Sequence, residues 1–101
     1  MMTLRQFYLL KLAEECAEVA QRASKQMQFG AAEIQKDQEL TNAQRLRGEL
    51  NDLLVVVGQL ACMDELPHEN MSQWTDAMNS KREKLAKYLA YSQSLGMVGV
   101  E

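Results

Sequence analysis

Apolar residues recur at alternating steps of three and four along three long stretches of this chain, and only Pro67 and a few glycines break the pattern. In the first stretch the recurring residues are Leu9, Ala13, Cys16, Ala20, Ala23 and Met27, which predicts a helix over 3–28 with one apolar stripe, ended by Gly30. In the second, Leu46, Leu50, Leu53, Val57 and Leu60 predict a helix over 41–64, capped by Thr41 or Asn42 and stopped before Pro67. The run at 53–57 is β-branched enough to suggest a strand, but it has no partner strand and the helical spacing continues on both sides of it. In the third, Trp74, Met78, Leu85 and Tyr88 share one face of a helix over 72–92. The polar connection 31–40 has room for a short helix at 32–38, and 93–101 reads as a loose tail. The expected fold is therefore all-α: a compact bundle of three main helices, with or without the short connecting one, in a single domain over 1–92.

At 101 residues such a bundle has a small core, and the second helix is apolar nearly all round near 53–57. Oligomerisation is the expected way to complete it. The net charge of −3 argues against a nucleic-acid surface, which needs a basic patch. No stretch approaches the roughly 18 apolar residues of a membrane span, and no cleavable apolar leader follows Met1, so the expected location is the cytoplasm. Cys16 and Cys62 have no Cys or His at ligand spacing and are expected to be buried small hydrophobes.

The acidic residues carry the chemistry. Glu14, Glu15 and Glu18 form Glu-Glu-Cys-Ala-Glu in the first helix, and Glu49 and Asp52 form Glu-Leu-Asn-Asp in the second. Residues three or four apart are neighbours on a helix, so each helix offers an acidic pair. On a wheel of about 100° per residue, Glu49 falls between Leu53 and Val56, inside the arc that faces the core. An ionised carboxylate there is costly unless it is protonated, paired with a base or bound to a metal. The bland alternative is two solvated faces pairing with Lys11, Arg22, Lys25, Arg45 and Arg47. If Glu15 and Glu18 face Glu49 and Asp52, the four repel unless a cation lies between them, and a hard all-oxygen set suits Mg²⁺, or Mn²⁺ in its place. Lys81 interrupts the stripe of the third helix, so a cation is expected to point inward there. It can cover apolar surface with its stem or contact a phosphate, with Arg82 and Lys84 as flanking candidates.

Glu-Glu-x-x-Glu at 14–18 followed by Glu-x-x-Asp at 49–52 resembles the MazG-like, all-α nucleoside triphosphate pyrophosphohydrolases, and the likeness extends to the segment Asn79-Ser80-Lys81-Arg82-Glu83-Lys84. The resemblance implies a homodimer or homotetramer that hydrolyses a nucleoside triphosphate to monophosphate and pyrophosphate. It makes Glu15, Glu18, Glu49 and Asp52 the Mg²⁺ ligands, Glu14 a group that orients a ligand or the attacking water, and Lys81 an aid to the leaving pyrophosphate. The chain departs from the pattern at Lys25, where some relatives carry an aromatic base contact. Phe7, Tyr8, Phe29, Trp74, Tyr88 and Tyr91 each read as core aromatics, so no nucleobase is assigned. Two other functions fit the motifs: a phosphoribosyl-ATP pyrophosphohydrolase, and a non-catalytic helical dimerisation module clamped by a metal. A di-iron bundle does not fit, because its Glu-x-x-His pairs need two histidines and His68 is the only one.

Overall fold

Each of the three helices begins at a side chain that caps it reciprocally. A computed structural model describes residues 1–99 as α1 (Leu4–Phe29), α2 (Asn42–Cys62) and α3 (Met71–Ser94). Thr3, Thr41 and Asn70 each accept a hydrogen bond from the backbone N–H three residues on, and Gln6, Gln44 and Gln73 reach back to the capping residue's own N–H. The all-α expectation holds, with helix boundaries close to those predicted; α3 starts at Met71, one residue earlier than expected, because Asn70 supplies the cap.

The helices end by glycine or by a left-handed turn. Gly30 has φ 93° and ψ 153°, a backbone region that side-chain-bearing residues almost never adopt, and it turns the chain out of α1. Asp64 and Gly96 take positive φ just past α2 and α3. There the N–H groups of Glu65 and Met97 return to Leu60 and Ser92, and those of Asp64 and Gly96 to Ala61 and Gln93, a Schellman closure at each end. The expected loose tail is therefore ordered at its start: 93 and 94 belong to α3, and Gln93 donates to the carbonyl of Gly99 at 3.1 Å. Positions 100 and 101 of that tail lie outside the described residues.

The connection 31–41 forms no helix. Its carbonyls are used elsewhere: Glu33 accepts from the N–H of Asn42 at 2.9 Å and Ala31 from that of Ala43 at 3.1 Å, which satisfies two free donors at the start of α2. Asp37 adopts φ 67°, which a helix cannot continue through. Asn42, 1% exposed, is not the cap; its Nδ2 donates to the Gly30 carbonyl at 2.8 Å and to Glu33 Oε1 at 3.1 Å, tying the loop to both helices.

The chain divides into two units at Pro67/His68. In the first, α1 and α2 pack as an antiparallel hairpin: the Arg5–Glu65 ion pair joins the start of α1 to the end of α2, and Asn42 joins the opposite ends. Leu60 is wholly buried, Val56 nearly so, and Leu46, Leu50, Leu53 and Val57 are partly buried, as the α2 stripe predicts.

The α1 stripe is a correction. Leu9, Ala13, Cys16, Ala20, Ala23 and Met27 are exposed, and the face turned toward α2 is Tyr8, Leu12, Glu15, Val19, Arg22 and Gln26, one residue out of phase. The true face mixes a carboxylate, a guanidinium and an amide among its apolar residues, so hydrophobic periodicity selects the wrong side. Cys16 lies on the exposed side and Cys62 at the last position of α2, and neither is buried.

The second unit holds α3, which buries none of its residues. Trp74, Met78, Leu85 and Tyr88 are exposed, and Lys81 is exposed with them rather than turned inward. An apolar stripe identifies a face but not what covers it. Among the described residues no helix is long and apolar enough to cross a membrane.

Candidate functional site

Three carboxylates from the two helices of the hairpin meet. Glu15 and Glu18 are one turn apart on α1, and Glu49 reaches them from α2; an oxygen of each lies within 4.8 Å of the others. The antiparallel packing produces this meeting, because α1 descends through 15–18 where α2 ascends through 49–52. Glu15 and Glu49 are partly buried, and Oε2 of each is fully enclosed with no hydrogen-bond partner. Glu18 and Asp52 are exposed. The enclosed oxygens form the floor of the site and the exposed carboxylates its rim.

The electrostatics follow from this arrangement. The Glu18 carboxylate, placed to accept a hydrogen bond from protonated Glu49, raises the affinity of Glu49 for protons above the ordinary carboxylate value, and loss of water and the charges of Glu18, Asp52 and Glu15 add to it. Glu15 is raised chiefly by loss of water, then by Glu18 and Asp52, with Lys11 pulling in the opposite direction. Asp52 is therefore close enough to be felt by both, although it stands outside the tight group of three.

The solvated-face alternative requires bases for these acids, and among the described residues none forms an ion pair with Glu15, Glu18 or Glu49. Lys11 bonds Glu14 at 3.0 Å, Arg45 donates to Gln35 Oε1 at 2.6 Å, and Lys25 Nζ lies 5.7 Å from the Phe29 ring centroid. Arg22 is buried and makes no ion pair among the described residues. The three central carboxylates thus repel one another with only Lys11 opposing, an arrangement a divalent cation would stabilise. Carboxylate oxygens without nitrogen or sulfur donors match Mg²⁺ or Mn²⁺.

The remaining predicted residues are placed as follows. Glu14 is exposed, held by Lys11, and its carboxylate is not in the group of three. Lys81, Arg82 and Lys84 are exposed on α3 in the second unit, where Arg82 donates to Asn79 at 2.9 Å. The aromatic residues are not core: Phe7, Phe29, Trp74, Tyr88 and Tyr91 are exposed, and only Tyr8, edge-on to Phe7 at 5.2 Å, is partly buried. Hydrophobic periodicity does not reveal the polar residues that continue the inner face of α1 past Glu18, buried Arg22 and partly buried Gln26. Both continue the spacing of Glu15 and Val19, a pattern that becomes visible only once the face turned toward α2 is known.

No known protein family, curated protein or solved structure matches this chain.

Proposed function

We propose that the chain is a Mg²⁺-dependent nucleotide pyrophosphohydrolase that converts a nucleoside or deoxynucleoside triphosphate to the monophosphate and pyrophosphate. The observation that carries this reading is the meeting of Glu15, Glu18 and Glu49, with two buried oxygens left unpartnered and no ion pair to any of the three among the described residues. That observation supports a divalent cation; the resemblance of the two acidic motifs to the MazG-like pyrophosphohydrolases supports the substrate class.

The metal, when bound, supplies Lewis-acid polarisation of the phosphoryl group and offsets its negative charge. The chain's own residues do the rest. Glu15 and Glu49 fix the inner ligand positions, because their enclosed oxygens cannot turn to water. Glu18 and Asp52 leave the site open on the solvent side, where a triphosphate has access. Glu14, whose carboxylate pairs with Lys11 at 3.0 Å, is the candidate for orienting a water molecule.

A second reading, a helical module clamped by metal without catalysis, is favoured by one observation. Within the hairpin, Leu9, Leu10, Met27, Leu54 and Val55 remain exposed, which suits burial against another copy. Dimers or tetramers are also part of the enzymatic proposal, so assembly alone does not separate the two. Incubation with a panel of ordinary and modified triphosphates and phosphoribosyl-ATP, with and without Mg²⁺, does. Mg²⁺-dependent pyrophosphate release is expected from at least one nucleoside triphosphate; turnover of phosphoribosyl-ATP alone would redirect the substrate assignment, and no release from any would leave the clamp. Glu49→Gln is expected to abolish release while far-UV circular dichroism stays helical.

A further inference from the structure

Arg22 is a buried cation without a partner. It is 8% exposed, its Nη1 is fully enclosed with no hydrogen-bond acceptor, and it belongs to no ion pair among the described residues. A guanidinium does not lose its proton in a protein, so the charge cannot be relieved by titration. Leaving such a donor unsatisfied is unfavourable, and a buried charge more so.

Its place on α1 is informative. Arg22 follows Glu18 by four residues and Glu15 by seven, on the face turned toward α2. Residues four apart are neighbours on a helix, so Arg22 stands one turn from Glu18 on that face. Glu18 does not take it as a partner: no ion pair joins the two among the described residues, and Nη1 has no acceptor. The other cation nearby, Lys25, is turned to the Phe29 ring. One turn beyond Arg22, Gln26 Oε1 is likewise enclosed and unpartnered.

We propose that Arg22 binds a phosphoryl oxygen of the metal-bound polyphosphate, one helical turn along α1 from the carboxylates that hold the metal. This rests on the functional reading above and adds a recognition residue that the acidic motifs do not contain. The chemistry is that of guanidinium and phosphate: a planar fork of N–H donors set against paired anionic oxygens, strengthened by burial. The geometry also sets an order. The carboxylates one turn away repel the anion until a cation has neutralised them, so Mg²⁺ binding precedes phosphate binding.

The test is calorimetric titration of inorganic tripolyphosphate, which has no nucleobase, into the full chain saturated with Mg²⁺, beside titration of Mg²⁺ alone. In wild type both should bind. In Arg22→Gln the tripolyphosphate affinity should fall by about ten- to a hundredfold, the loss of a charge-assisted hydrogen bond, while Mg²⁺ affinity is unchanged or tighter. If that variant does not fold, Arg22→Lys, which keeps the charge and loses the fork, carries the same comparison with a smaller loss. Wild-type binding of Mg²⁺ and tripolyphosphate with undiminished tripolyphosphate affinity in folded Arg22 variants overturns this inference alone. Failure of wild type to bind either overturns the functional reading with it.

Discussion

At the residue scale, the informative side chains are those whose charge and position disagree. Glu49 was legible in the sequence because a carboxylate inside an otherwise apolar arc has few tolerable fates, and the structure places its Oε2 in the enclosed floor of the acidic group. Arg22 was not legible, because a lone arginine on a helix is indistinguishable from a solvated one until its face is known. The raised proton affinities of Glu15 and Glu49 have a definite consequence for the metal-free protein. Each binds protons more tightly folded than unfolded, so the stability this contributes is fully present below the ordinary carboxylate pKa of about 4.3 and is lost as pH rises through the raised folded values. Thermal melts in chelator should therefore show stability falling across that window, with a shallower fall in Glu49→Gln. Mg²⁺ requires the deprotonated ligands, so its stabilising increment should grow with pH over the same range. A metal-free melting profile that rises with pH identically in both proteins would contradict the site's electrostatics.

At the element scale, the helices were legible and their surroundings less so. Thr41 and Gln44 stand at the spacing of a capping box, and α2 starts there. Replacing Thr41 by alanine should cost about 1 kcal/mol, read as a lower urea midpoint with an unchanged slope. The 31–41 connection could not be read locally, because its conformation depends on bonds to the start of α2 rather than on its own propensity. Gly30 is the pivot of that arrangement. Nothing lies within 4 Å of where a Cβ would sit, so Gly30→Ala meets no clash, yet the positive φ alone should cost on the order of 1–3 kcal/mol. The phase of α1 was misread for a related reason: its small apolar residues form a cleaner stripe than the polar face that packs against α2.

At the scale of the whole molecule, few large apolar residues of the hairpin are fully buried. Leu60 is 0% exposed, whereas Met27 and Val55 are 91% and 73% exposed. Leu60→Ala should therefore be severe, at about 2–5 kcal/mol, because so little other core can compensate. If copies of the chain associate through the exposed side, light scattering after gel filtration should give a mass above 11.5 kDa, and Leu54→Glu should lower it toward the monomer while Mg²⁺ binding persists. The all-α class, the three helices and the two acidic pairs were all present in the sequence as periodicity and spacing. The facing of those pairs depends on the packing of α1 against α2, which no local pattern specifies.

The carboxylates of Glu15, Glu18 and Glu49 are the centre of this account, and calorimetric titration of the chelator-stripped protein with Mg²⁺, repeated with Mn²⁺, tests them most directly. Saturable binding in wild type, lost in Glu49→Gln and in Glu15→Gln while both variants remain helical, is the predicted result. Absence of binding in wild type, or equal binding in the folded variants, would contradict it.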